Sequence, residues 1–126
     1  MAKDQLETEI AASPDAVWAA VGNYGDLSFF PGITGVRIEG EDRIVSAGQA
    51  RIRERLLERD DARRVLRYSV TEGLPGLEHH EATVSVLPAG AGSKVVWGFE
   101  VLPDEMGPAM AKTYTAALDG LKNHLA

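Results

Sequence analysis

The opening run DQLETEIA alternates, with Leu6, Thr8 and Ile10 on one side and Glu7 and Glu9 on the other. A period of two is that of a strand with one buried face. The period then changes. Ser13 is an N-cap, Pro14 suits the first helical position, and Asp15 lies at the positive end of the helix. Val17, Trp18 and Val21 follow as a narrow apolar stripe, which Gly22 and Gly25 end. DLSFF predicts a second short helix, capped by Asp26 and closed by Pro31 and Gly32.

From Thr34 to Leu102 the pattern is almost entirely that of strands. They are predicted over 34–39, 42–45, 50–58, 63–72, 79–87 and 93–102, separated by turn-forming residues at 40–41, 46–49, 60–62, 73–76 and 89–92. Connections this short imply an antiparallel meander. The tail returns to helical spacing: Met106, Met110, Tyr114, Leu118, Leu121 and Leu125 fall on one stripe, with Asp104 as the cap. No linker or repeat intervenes, so residues 1–126 read as one α+β domain whose sheet closes on one long helix.

Composition narrows the function. A net charge of −6 disfavours nucleic acid or an anionic membrane as a partner. The chain has no cysteine, which removes disulfides, thiolate catalysis and cysteine metal sites. No apolar run has the length of a signal peptide core or a membrane span, so no membrane insertion is expected and the cytoplasm is the expected compartment.

Strand parity sorts the side chains. Ile52, Glu54 and Leu56 share a face, as do Leu66, Tyr68 and Val70, then His80, Ala82, Val84 and Val86, then Val95, Trp97, Phe99 and Val101. The presumed interior therefore holds Glu54, Tyr68 and His80 among aliphatic and aromatic residues. A buried carboxylate needs a partner. With a tight turn at 60–62, Glu54 falls opposite Tyr68; with Val45 opposite Ala50, Arg43 falls opposite Ile52 and diagonal to Glu54. Asp42 then faces Arg53 on the outside. Two readings stand for Glu54: a structural ion pair with Arg43, or a base whose desolvation-raised pKa lets it remove a proton alpha to a carbonyl. Two also stand for His80: a semi-buried ring bonded to a carbonyl or water, or a general acid/base. Adjacent histidines on a strand point to opposite faces and no acidic cluster is legible beside them, so no metal is expected. The lysines fall off the buried stripes, which excludes Schiff-base chemistry.

The order of elements, and the segments SPDAVWAAVGNYGDLSFFPGI, ERLLERDDARRVLRYSV, EATVSVLP, SKVVWGFEV and AALDGLKNHL, resemble the START-like helix-grip superfamily called SRPBCC, and within it the polyketide cyclase/dehydrase type. The resemblance implies a curved antiparallel sheet of about seven strands wrapped around the C-terminal helix, two short helices after the first strand, and a ligand cavity between sheet and helix. It places Arg43 and Glu54 in the cavity, because the R…ERL pattern is similar to that of plant lachrymatory-factor synthase and abscisic-acid receptors. His80 stands where those relatives carry a tyrosine. GLPG (Gly73–Gly76) resembles the receptors' gate loop but follows the ERL strand, at the position of their second, latch loop.

On this resemblance the wall is expected to include Phe30, Ile52, Leu66, Trp97, Phe99, Met106, Met110 and Tyr114. The occupant would be a small hydrophobic or aromatic ligand, with no cofactor, in a monomer or homodimer. One reading is cofactor-free cyclisation or dehydration, in which Glu54 or His80 moves protons and Arg43 and Tyr68 stabilise an enolate. Another is a carrier or sensor without chemistry, and a third is a partner-binding module with a collapsed cavity.

Overall fold

The computed structural model describes residues Met1–Ala126. Strand β1 (Ala2–Ile10) leads into helix α1 (Pro14–Val21), where the Ser13 hydroxyl accepts the Ala16 N–H at 3.2 Å. Strands β2 (Gly35–Glu39), β3 (Asp42–Ala47), β4 (Ala50–Asp60), β5 (Val65–Glu72), β6 (His79–Ala89) and β7 (Gly92–Leu102) follow, then helix α2 (Gly107–His124). All pairings are antiparallel, in the spatial order β1-β7-β6-β5-β4-β3-β2. The first strand thus docks on the last, with Leu6 opposite Trp97. No helix is long and apolar enough to cross a membrane.

Three local expectations are corrected. Over the predicted second helix the chain makes only hydrogen-bonded turns: Ser28 N–H donates to the Asp26 carboxylate and Phe30 N–H to the Leu27 carbonyl. Pro31 has no N–H with which to extend them. Asp104 does not cap α2. It begins a single tight turn, Asp104–Met106, and its carboxylate meets the N-terminal amine at 2.9 Å. The β4–β5 connection spans residues 61–64, with Arg64 at φ 55, so β5 starts two residues later than the alternation suggests.

That longer turn and a bulge at Leu57 reset the register. Leu56, not Glu54, lies opposite Tyr68, and Glu54 lies opposite Val70. The bulge changes which side chains face inward. Unbroken alternation would turn Glu58 inward; the extra residue sends it outside, 3.5 Å from Arg67, and leaves Leu57 exposed.

The core follows parity. Ala82, Val84 and Val86 of β6, and Val95, Trp97 and Val101 of β7, pack with Tyr114, Ala117, Leu118 and Leu121 of α2 and with Val17, Trp18 and Val21 of α1. Helix α2 rests on β1 and β7. The inner faces of β3, β4 and β5 are therefore left without a helix against them, and that is where a hollow can open.

Candidate functional site

The hollow is a cavity of about 320 Å³, the space of about ten water molecules. Leu27, Phe30 and Ile33 of the α1–β2 loop form one side. Val45, Ile52 and Val70 of the sheet form the floor; Met106, Met110, Thr113 and Tyr114 face them. Leu74 reaches in from the Gly73–Gly76 loop. Against this apolar wall stand Arg43, Glu54 and Tyr68. An apolar pocket with a few converging polar groups is the general form of a small-molecule site.

Arg43 and Glu54 are direct cross-strand partners, so both side chains point the same way. Arg43 Nε donates to Glu54 Oε1 at 2.6 Å, and Arg43 Nη1 donates to the Tyr24 carbonyl at 2.9 Å. Tyr24 closes the loop by donating its hydroxyl to the Glu54 carbonyl at 2.9 Å. The guanidinium carbon lies 4.2 Å from the centre of the Tyr24 ring and 4.8 Å from that of Tyr68. Two aromatic faces and a carboxylate thus hold a cation that is only 3% exposed. Burial works against its charge, but Glu54, joined by Tyr68 and Tyr24, outweighs it, so the guanidinium is held above its ordinary pKa. Burial also pushes the Tyr24 phenol up to about 12 and the Tyr68 phenol higher still. Glu54 Oε2 and Arg43 Nη2 have no protein partner.

The outer side of the same strands carries a second cluster. Asp42 accepts from Arg53 Nη1 at 2.7 Å and from Arg55 Nε at 3.0 Å, which holds its carboxyl below the usual range. The direct Arg43–Glu54 pairing corrects the diagonal one. It follows from Val45 standing opposite Ile52 instead of Ala50, because the β3–β4 turn is a two-residue hairpin through Gly48 and Gln49.

His80 is inward and 1% exposed, yet it does not border the cavity. Pairing of β5 with β6 stops at Tyr68 and Ala82. One step further, His80 Nδ1 accepts the Val70 N–H at 3.0 Å, standing in for the backbone acceptor that the parting strands remove. Nδ1 is therefore unprotonated and the ring proton sits on Nε2, 2.9 Å from the Tyr114 hydroxyl. Burial, with His79 adding to it, lowers the pKa of His80 to about 4, and the ring is neutral at neutral pH. Tyr114 also meets the Tyr68 hydroxyl at 3.1 Å.

Of the expected wall residues, Phe30, Ile52, Met106, Met110 and Tyr114 border the cavity. Leu66, Trp97 and Phe99 do not; they are part of the packed core. Trp97 stacks on Tyr114 at 5.0 Å between ring centres and meets Phe30 edge to face. Sequence reasoning missed Tyr24, whose signal was a large aromatic residue between Gly22 and Gly25 in an otherwise polar loop. It also missed Leu74, which lies between Gly73 and Pro75 in the β5–β6 loop.

The outer face corrects one further expectation. His79, Glu81 and Glu100 bring potential ligand atoms within 4.8 Å of one another, an acidic grouping that sequence spacing did not show because Glu100 comes from the neighbouring strand. These groups are engaged with cations: Glu100 with Lys3 at 3.5 Å and Glu81 with Arg67 at 3.2 Å.

A curved antiparallel sheet that grips a C-terminal helix, with an apolar cavity between them, defines the START-like class. Comparison with known proteins agrees. The chain belongs to the family described as polyketide cyclase / dehydrase and lipid transport, whose model matches residues 1–126. Among solved structures it is similar to the protein XoxI from Bacillus cereus, at 24% identity, 99% of this chain and 96% of that one, and a TM-score of 0.91. A START superfamily protein from Mycobacterium smegmatis shares 15% identity over 98% and 96% of the two chains, with a TM-score of 0.83. Ara h 8.0201 shares 17% identity over 98% and 96%, with a TM-score of 0.82. At these identities the likeness is one of fold. Among curated proteins no sequence matches the chain.

Proposed function

We propose that this protein binds a small, largely apolar or aromatic molecule in the cavity between β3–β5 and α2, and orients it by polar groups at the cavity's inner end. The observation that carries the reading is the pairing of an apolar wall with Arg43 and Glu54, each keeping an atom free of any protein partner. A purely structural ion pair at the same place would gain from satisfying all its atoms. In an enzymatic form, Glu54 would take or return a proton on the ligand while Arg43 and Tyr68 stabilise the charge that develops, without a cofactor. His80 has no part in that transfer in this proposal, since its acceptor nitrogen is occupied by the Val70 N–H.

A carrier or sensor without chemistry is the second reading. It is favoured by the tie of Glu54 Oε1 to Arg43, which occupies that oxygen with a hydrogen bond inside the protein. Titration with anilinonaphthalene sulfonate tests the shared part: saturable one-to-one binding is expected, and its absence would leave only the collapsed-cavity reading. Mass spectrometry of a co-purified ligand would name the occupant. With a turned-over substrate in hand, Glu54→Gln separates the two readings, since loss of turnover with binding retained marks catalysis.

A further inference from the structure

Three hydrogens meet at the back of the cavity: the Nε2–H of His80 and the hydroxyl hydrogens of Tyr68 and Tyr114. Only two contacts join these groups, His80 Nε2 to the Tyr114 oxygen at 2.9 Å and Tyr68 oxygen to Tyr114 oxygen at 3.1 Å. Each contact uses one hydrogen. His80 cannot absorb the third, because its acceptor nitrogen already holds the Val70 N–H. No other protein acceptor reaches either hydroxyl. One O–H is left over, on a tyrosine pair whose members are 2% and 3% exposed and both border the cavity.

A buried donor without an acceptor is costly, and the cavity is the open side. Tyr114 is the better placed owner of the spare hydrogen. Its oxygen accepts from His80 on one lone pair and from Tyr68 on the other, which turns its own hydrogen away from both. Burial raises the pKa of both phenols, which keeps them protonated donors. The guanidinium of Arg43, whose Nη2 has no protein partner, lies 4.8 Å from the centre of the Tyr68 ring and borders the same cavity.

We propose that the Tyr68–Tyr114 pair, backed by His80, forms a hydrogen-bond donor subsite that selects ligands carrying a ketone or enolate oxygen on an apolar or aromatic frame. This inference rests on the cavity being a ligand site and adds the ligand's chemical class. A matched pair of probes tests it: acetylnaphthalene, with its carbonyl carbon isotopically labelled for NMR, and ethylnaphthalene, which has the same outline and no oxygen.

Bound to the wild-type protein, the labelled carbonyl should resonate downfield of its position in hexane. The ratio of the two dissociation constants should shift toward the hydrocarbon by at least about tenfold in the double variant Tyr68→Phe, Tyr114→Phe. Tyr68→Phe alone should keep most of the ketone preference, because His80 still holds the Tyr114 oxygen. Unimpaired ethylnaphthalene binding shows that each variant is folded. If both probes bind but the carbonyl stays at its hexane position, or the ratio is unchanged in the double variant, the subsite is wrong and the cavity reading survives. If neither probe binds the wild-type protein, the cavity reading fails and the subsite fails with it.

Discussion

Arg43 on β3 and Glu54 on β4 stand directly opposite one another, and their side chains meet at 2.6 Å with exposures of 3% and 12%. The pair binds the sheet to the α1–β2 loop through Tyr24, which accepts from Arg43 on its carbonyl and donates its hydroxyl to the Glu54 carbonyl. One ion pair therefore sets the wall of the cavity and its polarity at once.

Removing one partner strands the other. Glu54→Leu leaves the guanidinium buried without its carboxylate and should cost about 3 kcal/mol in urea unfolding. Arg43→Met should cost a similar amount, since it also frees the Tyr24 carbonyl. The double variant should lose clearly less than the sum, with a coupling of about 1 kcal/mol or more. Strict additivity would show that the two charges do not depend on each other.

The buried imidazole makes stability depend on pH. His80 titrates at about 4 in the fold, against 6.5 for the free side chain. Between those values the unfolded chain binds the extra proton, so the contribution is complete above about pH 6.5 and is lost as pH falls toward 4. The full shift corresponds to about 3 kcal/mol. His80→Gln should flatten that part of the pH profile while leaving the carboxylate part below it. An NMR titration showing the His80 ring protonating at its ordinary pKa would rule this out.

Gly73 is held at φ +101, and a methyl group on it would lie 2.2 Å from the Arg51 carbonyl oxygen. Gly73→Ala should therefore destabilise by about 2 kcal/mol or more, and it should displace Leu74 from the cavity wall. Gly76, at φ +82 with nothing within 4 Å, supplies the control. Gly76→Ala should cost about 1 kcal/mol from backbone conformation alone. Equal losses at the two sites would mean that the close approach to Arg51 carries no weight.

Val70 faces both Glu54 and the cavity. Val70→Phe places a larger side chain into a hollow instead of a packed core, so stability should change by less than about 1.5 kcal/mol. The affinity for anilinonaphthalene sulfonate should fall by at least about tenfold. A stable variant that binds the probe unchanged would put the probe elsewhere on the protein.

Much of the architecture is local information. Alternation in DQLETEIA, EATVSV and KVVWGFEV states which residues look inward, because a strand offers its side chains only two directions. The Ser13-Pro14 start of α1 and the apolar stripe of α2 are equally local. Those signals suffice to point Arg43, Glu54, Tyr68 and His80 toward the interior.

They do not say what lies in that interior, since register and helix placement depend on pairings distant in sequence. A four-residue turn and a bulge at Leu57, neither announced by composition, moved Tyr68 from Glu54 to Leu56 and put Glu58 outside. The position of α2 over β1 and β7 made Trp97 and Phe99 core and left β3–β5 to the cavity. The same placement set Tyr114 between His80 and Tyr68. Facing is a property of the strand; enclosing a space takes two surfaces, and their separation is settled only when the whole chain packs.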